Sequence, residues 1–154
     1  MKLTDLLNEK VIKTDLESRE KEEVFEELID LLVRNGVVSD RDEAREVILD
    51  REDKQSTGIG RGVAIPHGKS ASVSALTAAL GISKDGIEYD SLDGEAVNVV
   101  FLMLADKESA GAHVGALAQV AMLCKVPGFL DRIVAAESAK EVYDIIVAEE
   151  ERED

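Results

Sequence analysis

Cysteine occurs once in these 154 residues, and no uninterrupted apolar run approaches the roughly 18 residues of a membrane helix. A lone cysteine, Cys124, closes no internal disulfide, which agrees with a reducing compartment, and its plain role is that of a small buried hydrophobe. The start of the chain lacks the basic-then-apolar pattern of a secretory signal, so a cytoplasmic protein with no membrane insertion is expected. Cations are scarce: 18 lysines and arginines stand against 33 acidic residues, a net charge of -15. Nucleic-acid phosphates and anionic membrane surfaces need clustered lysine and arginine, so neither is an expected partner. The same charge attracts a basic protein partner, whose association should slow as salt rises, or it simply serves solubility. Histidine is scarcer still, with His67 and His113 alone.

What is present is enough for one compact domain over residues 1–154, with 45% hydrophobic residues and no linker, repeat or low-complexity stretch. Leu3, Leu6 and Leu7 predict a helix from Met1 to Lys10 behind a Thr4 cap, followed by a strand at Val11-Ile12. A helix from a Ser18 cap to Arg34 carries Val24, Phe25, Leu28, Ile29, Leu31 and Leu32 as an apolar stripe, and Gly36 ends it. Ser39-Asp40-Arg41-Asp42 predicts a capping box for the next helix, which buries Ala44, Val47 and Ile48 and leads to Arg51 and Glu52. Ala75 to Ile82 and Val97 to Leu104 have strand length, separated by a predicted turn at Ser83-Lys84-Asp85-Gly86. Val97 to Leu104 is apolar with almost no alternation, which predicts a strand covered on both faces. His113 to Cys124 supplies one covering helix, Pro127 opens a short apolar segment, and Ser138-x-x-Glu141 caps a last helix. The acidic residues 149–154 are expected to fray. Strands interleaved with helices predict an α/β sandwich with a central sheet.

The remaining stretch, Ser56-Thr57-Gly58-Ile59-Gly60-Arg61-Gly62-Val63-Ala64-Ile65-Pro66-His67-Gly68-Lys69, runs three alternating glycines into a short buried strand. Pro66 suits the last position of that strand and aims His67 as it leaves, while Gly68 keeps the space beside the imidazole small. A dinucleotide fingerprint or phosphate loop follows a strand and opens a helix, and here the order is reversed, so a nucleotide site is excluded. Gly-x-Ser-x-Gly is absent, as are His-x-x-x-His and Glu-x-x-His, so serine-nucleophile and metal chemistry have weak support. His113 sits near a helix start, where free N–H groups favour anions; it either helps hold a phosphate or simply packs there.

These residues resemble the enzyme IIA domains of the bacterial sugar phosphotransferase system, of the fructose, mannitol and nitrogen-regulatory type. The stretch ending in Pro66-His67-Gly68-Lys69 is similar to that family's active-site motif, Asp90-Ser91-Leu92-Asp93-Gly94 through Leu104 to the segment before its second motif, and His113 to Ala121 to the helix bearing its second histidine. Arg51 falls where mannitol-type members place an active-site arginine. The resemblance spans nearly the whole chain and implies a mixed sheet of about five strands flanked by helices. It implies that His67 accepts the phosphoryl group, that His113 donates to the phosphoryl oxygens and that Arg51 complements their charge, with Gly68 and nearby N–H groups completing the cradle. Arg61 and Lys69 flank the motif and meet either the phosphate, the partner or only solvent. No cofactor and no metal is implied. The donor would be an HPr-like phosphohistidine carrier protein and the acceptor a cysteine of an enzyme IIB; the oligomeric state is not legible. Gly111-Ala112 departs from the acidic or polar residue that many relatives have before the second histidine, so the bond orienting His113 must come from elsewhere or be missing.

Three readings stay open. The first is a phosphoryl carrier for uptake of a fructose-like or hexitol sugar. The second is a regulator whose phosphorylation state controls binding, told apart by the absence of transfer to a IIB cysteine. The third is a metal-dependent hydrolase or binding module built on the two histidines, which predicts stoichiometric metal.

Overall fold

The computed structural model describes residues 2–152. Six strands form one mixed sheet: β1 (Ile12–Lys13), β2 (Gly58–Gly60), β3 (Val63–Ala64), β4 (His67–Lys69), β5 (Thr77–Ile87) and β6 (Val97–Ala105). Five lie in the order β1-β5-β6-β3-β2, and β4 pairs with β6. The β5–β6 and β2–β3 pairs are antiparallel, while β1 runs parallel to β5 and both β3 and β4 run parallel to β6. Residues 98–105 of β6 are apolar except Asn98 and buried from Val99 to Ala105, as expected of a strand covered on both faces.

Five helices provide the cover: α1 (Lys21–Arg34), α2 (Arg41–Lys54), α3 (Ala110–Cys124), α4 (Phe129–Ala135) and α5 (Ala139–Arg152). α1 packs on α2 and β5, and α2 on β4; α3 and α4 meet β6, and α5 meets α4 and β1. Successive residues of a strand point to opposite faces. On β4, His67 turns to α3 and Gly68 to α2, so the two helices lie on opposite sides of the sheet.

Several local expectations are corrected. The predicted N-terminal helix is instead two 3-10 turns, Leu3–Asp5 and Glu9–Val11, and Thr4 caps neither. The amides of Leu3 and Thr4 and the Thr4 hydroxyl donate to Glu150, a tertiary bond that replaces helical ones. Ser18 does not cap α1; its amide and hydroxyl donate to Glu27, and Glu20 holds the cap position. Asp40 rather than Ser39 caps α2, accepting from the Glu43 amide at 3.1 Å. Ser83 to Gly86 is no turn between strands: β5 runs through it with a bulge between Ile82 and Ile87. Asn98 Nδ2 holds the Ser83 carbonyl at 2.9 Å and the Ser83 hydroxyl accepts the Gly86 amide, so polar residues at a bulge read as a turn.

The predicted cap of α5 is present, with the Ser138 hydroxyl accepting the Glu141 amide and the Glu141 carboxylate accepting the Glu137 amide. The expected fraying of residues 149–154 is contradicted for 149–152, which are helical, and residues 153–154 lie outside the described residues. Glu150 is buried, accepting from Leu3, Thr4 and Gln119, and Glu149 pairs with Arg132 and Arg152. No single helix among the described residues is long and apolar enough to cross a membrane.

Candidate functional site

The glycine stretch folds as a tight hairpin. Gly58 pairs with Ala64 and Gly60 with Val63, leaving Arg61 (φ 59) and Gly62 (φ 78) as the two central residues. Positive φ at both is the signature of a type I′ turn, whose twist matches the flanking strands. Gly62 adopts it freely; Arg61 does so against the preference of its side chain. The returning strand then follows β6 in one register, Val63 beside Val99 and His67 beside Met103. Pro66 interrupts it for lack of an N–H while its carbonyl still accepts the Met103 amide at 2.9 Å. His67 is therefore not where the chain leaves the sheet, as the sequence suggested, but where the strand resumes.

The His67 Nδ1 lies 2.7 Å from the carbonyl oxygen of Ile65. A carbonyl only accepts, so Nδ1 carries the proton, and in the neutral ring the lone pair is left on Nε2. His113, in the first turn of α3, meets this ring edge to face, with centres 5.3 Å apart and planes at 81°. It is 7% exposed, and its Nε2 is buried with no hydrogen-bond partner among the described residues. Burial, helped by the charges of His67 and Lys69, pushes the His113 imidazole below its ordinary value. Two residues far apart in the chain are thus brought together by the β4–β6 and β6–α3 connections.

Arg51 occupies the last turn of α2, where Nη1 donates to the Gln55 carbonyl at 2.8 Å. Together with His67 it lines a cleft of about 550 Å³ whose apolar walls are Ile59, Ile65, Leu117 and Ala121. Arg61 and Lys125 line it too, Arg61 Nη1 reaching the Cys124 carbonyl at 3.4 Å. Cys124 is buried beside them and burial pushes its thiol up to about 11, which suits the packing role expected for it. Lys69 lines a different cavity, with Glu43 and Asp106. Gly68 meets α2, where a Cβ would overlap Val47.

Two features escaped the sequence reading. One is Lys125, which nothing in its spacing marks. The other is the buried carboxylate of Glu52, next to Arg51, which accepts from the Thr57 amide at 2.9 Å, from the Thr57 and Tyr89 hydroxyls, and from Lys21 at 3.2 Å. It fixes the residue from which the hairpin springs. Among the described residues, no group of three or more His, Cys, Asp or Glu side chains converges as a metal site would need.

Residues 5–149 match the model of the family described as phosphoenolpyruvate-dependent sugar phosphotransferase system, EIIA 2. The chain belongs to that family. As an EIIA phosphocarrier it is a phosphotransferase component that works through a phosphohistidine. It is 42% identical over 146 residues to the fructose-specific EIIABC component of Bacillus subtilis, covering 95% of this chain but only 23% of that protein. The fructose-specific EIIA component of Haloferax volcanii is 33% identical over 126 residues, 82% of each chain. Among solved structures, the nitrogen regulatory protein IIA-Ntr of Neisseria meningitidis superposes with a TM-score of 0.85 at 31% identity, covering 94% of this chain and 98% of that one. These relatives divide between fructose-specific components and a nitrogen regulatory protein.

Proposed function

We propose that His67 is the phosphoryl acceptor and that the protein relays the group from an HPr-like phosphohistidine carrier to a cysteine of an enzyme IIB in a fructose-type uptake system. The observation that carries this is the bond from His67 Nδ1 to the Ile65 carbonyl, which leaves Nε2 as the nucleophile. That nitrogen attacks phosphorus as the donor's P–N bond breaks, and the reverse geometry passes the group to a thiolate. His113 contributes a donor: its Nε2, without a partner among the described residues, lies beside His67 and gains one when phosphoryl oxygens arrive. Arg51 supplies a guanidinium to the same cleft. Transfer of this kind depends on positioning and charge stabilisation, which the cleft provides without a metal being assigned a step. A IIB acceptor is supported by the Bacillus relative, which carries A, B and C components in one protein. The reading extends to residues 1–154 as one EIIA domain acting in the cytoplasm.

Regulation without transport is the second reading, favoured by the close superposition on a nitrogen regulatory protein. Intact-protein mass after incubation with phosphoenolpyruvate and the two general phosphotransferase proteins tests the first step. One acid-labile phosphoryl group is expected, lost in His67→Ala and retained, more slowly formed, in His113→Ala. Discharge onto a fructose-type IIB protein then supports transport; a charged protein that never discharges points to regulation.

A further inference from the structure

The cleft beside His67 differs in sign from the molecule around it. In a chain of net charge -15, its lining includes Arg51, Arg61 and Lys125 and no carboxylate. Its apolar walls, Ile59, Ile65, Leu117 and Ala121, lie beside those charges. The volume, about 550 Å³, lies in the range of small-molecule sites. Beside it, the buried Nε2 of His113 has no partner among the described residues. All of these groups come from one chain.

We infer that the site also accepts a phosphoryl group directly from a small acyl phosphate, an activity that rests on His67 being the acceptor. The leaving group decides the class. An alcohol must be protonated as it departs, and the cleft lining holds no carboxylic acid; burial moves the Cys124 thiol up to about 11, too weak an acid to serve. A carboxylate leaves as the stable anion and needs no proton. With acetyl phosphate, the Nε2 lone pair of His67 forms the N–P bond while the bond from phosphorus to the bridging oxygen breaks, and acetate departs with that electron pair. The ring keeps its Nδ1 proton, now on a cation held by the Ile65 carbonyl. The short apolar tail of the acyl group meets Ile65, Leu117 and Ala121.

The test is intact-protein mass of the chain incubated with acetyl phosphate and no other protein, beside a parallel reaction with a phosphoenolpyruvate-charged carrier protein. One acid-labile phosphoryl group is expected from acetyl phosphate, absent in His67→Ala and formed several-fold more slowly when Arg61 and Lys125, both exposed, are changed to glutamine; lysine acetylation is separated by its different mass. Charging by the carrier but not by acetyl phosphate overturns the inference and leaves the proposed function intact. Failure of both reactions overturns the proposed function itself. Equal acetyl phosphate rates in the wild type and in an Arg61→Gln, Lys125→Gln protein of unchanged circular dichroism overturn the assignment of the cationic cleft.

Discussion

His67 and His113 stand edge to face at 5.3 Å, one tied to a backbone carbonyl through Nδ1 and the other with a buried Nε2 that has no partner among the described residues. The pair is asymmetric before any phosphoryl group arrives. In the proposed transfer, the first imidazole attacks and the second donates.

The first prediction follows from the tautomer. The Ile65 carbonyl claims Nδ1, so the phosphoryl group should be found on Nε2 of His67. Long-range proton–nitrogen–phosphorus correlation spectra of the charged protein distinguish the two ring positions. A phosphoryl group on Nδ1 would mean that the bond to Ile65 does not govern reactivity.

A second prediction concerns His113. Burial and the neighbouring charges hold its imidazole below the ordinary value of 6.5, so between the two values the unfolded chain binds the extra proton and the folded chain does not. Stability contributed by neutral His113 is complete above pH 6.5 and is lost as pH falls through the lower, folded value. Urea unfolding from pH 7.5 to 5 should therefore show a steeper acid loss in the wild type than in His113→Gln. Phosphoryl transfer by His113→Ala should fall by about 10²-fold, the usual cost of one donor to a developing anion. Parallel stability curves for wild type and His113→Gln would show that no proton is being excluded at this position.

These two histidines also mark the limit of what the sequence could reveal. The resemblance paired them, but no spacing argument brings a strand residue and a helix residue together; their meeting depends on parallel pairing of β4 with β6. Long apolar elements such as β6, α1 and α3 were legible because burial leaves a periodic pattern in the residues themselves. Buried carboxylates were not. Glu52, Glu149 and Glu150 look like solvated charge until their partners, distant in the chain, are known. The same blindness turned the end of α5 into an expected frayed tail, and the N-terminal 3-10 turns into an expected helix.

Glu52 supplies the third prediction. Burial pushes its carboxyl up, but the Thr57 hydroxyl and amide, then Lys21, outweigh burial and hold it below its ordinary 4.5. Glu52→Ala leaves those donors buried and unpaired, at a cost of about 3 kcal/mol. Its stability contribution is present above pH 4.5 and is lost as pH falls through the lowered, folded value, so a Glu52→Gln protein should lose less between pH 5 and 3 than the wild type. Thermal unfolding across that range checks the sign.

The fourth prediction is that the last turn of α5 secures the chain's opposite end. Glu150 takes the Leu3 and Thr4 amides at 2.7 and 3.1 Å and the Gln119 amide at 2.9 Å. Glu150→Ala should destabilise by about 2–3 kcal/mol, because the Leu3 amide and the Thr4 amide and hydroxyl lose their acceptor. Hydrogen exchange should show the Leu3 and Thr4 amides losing protection well before the β5–β6 pair does. Unchanged protection at Leu3 would place the anchor elsewhere.

The last prediction links the fold to the site through a residue with no side chain. Gly68 lies one residue beyond His67 on the opposite face of β4, and a Cβ there would overlap the Cγ1 of Val47 and approach its carbonyl at 3.4 Å. α2 is seated on β4 at this point, and α2 carries Arg51 in its last turn. Gly68→Ala must push the helix outward, at a cost of about 1–3 kcal/mol for overpacking. Because Arg51 moves with α2 while His67 stays in its strand, transfer should slow more than a loss of folded protein explains, measured on samples fully folded at low temperature. Removing the obstructing methyl groups with Val47→Ala should recover part of both losses, and the double-mutant cycle should show a coupling of about 1 kcal/mol in stability. Simple additivity of Gly68→Ala and Val47→Ala would mean that the contact between α2 and β4 does not transmit this displacement to the cleft.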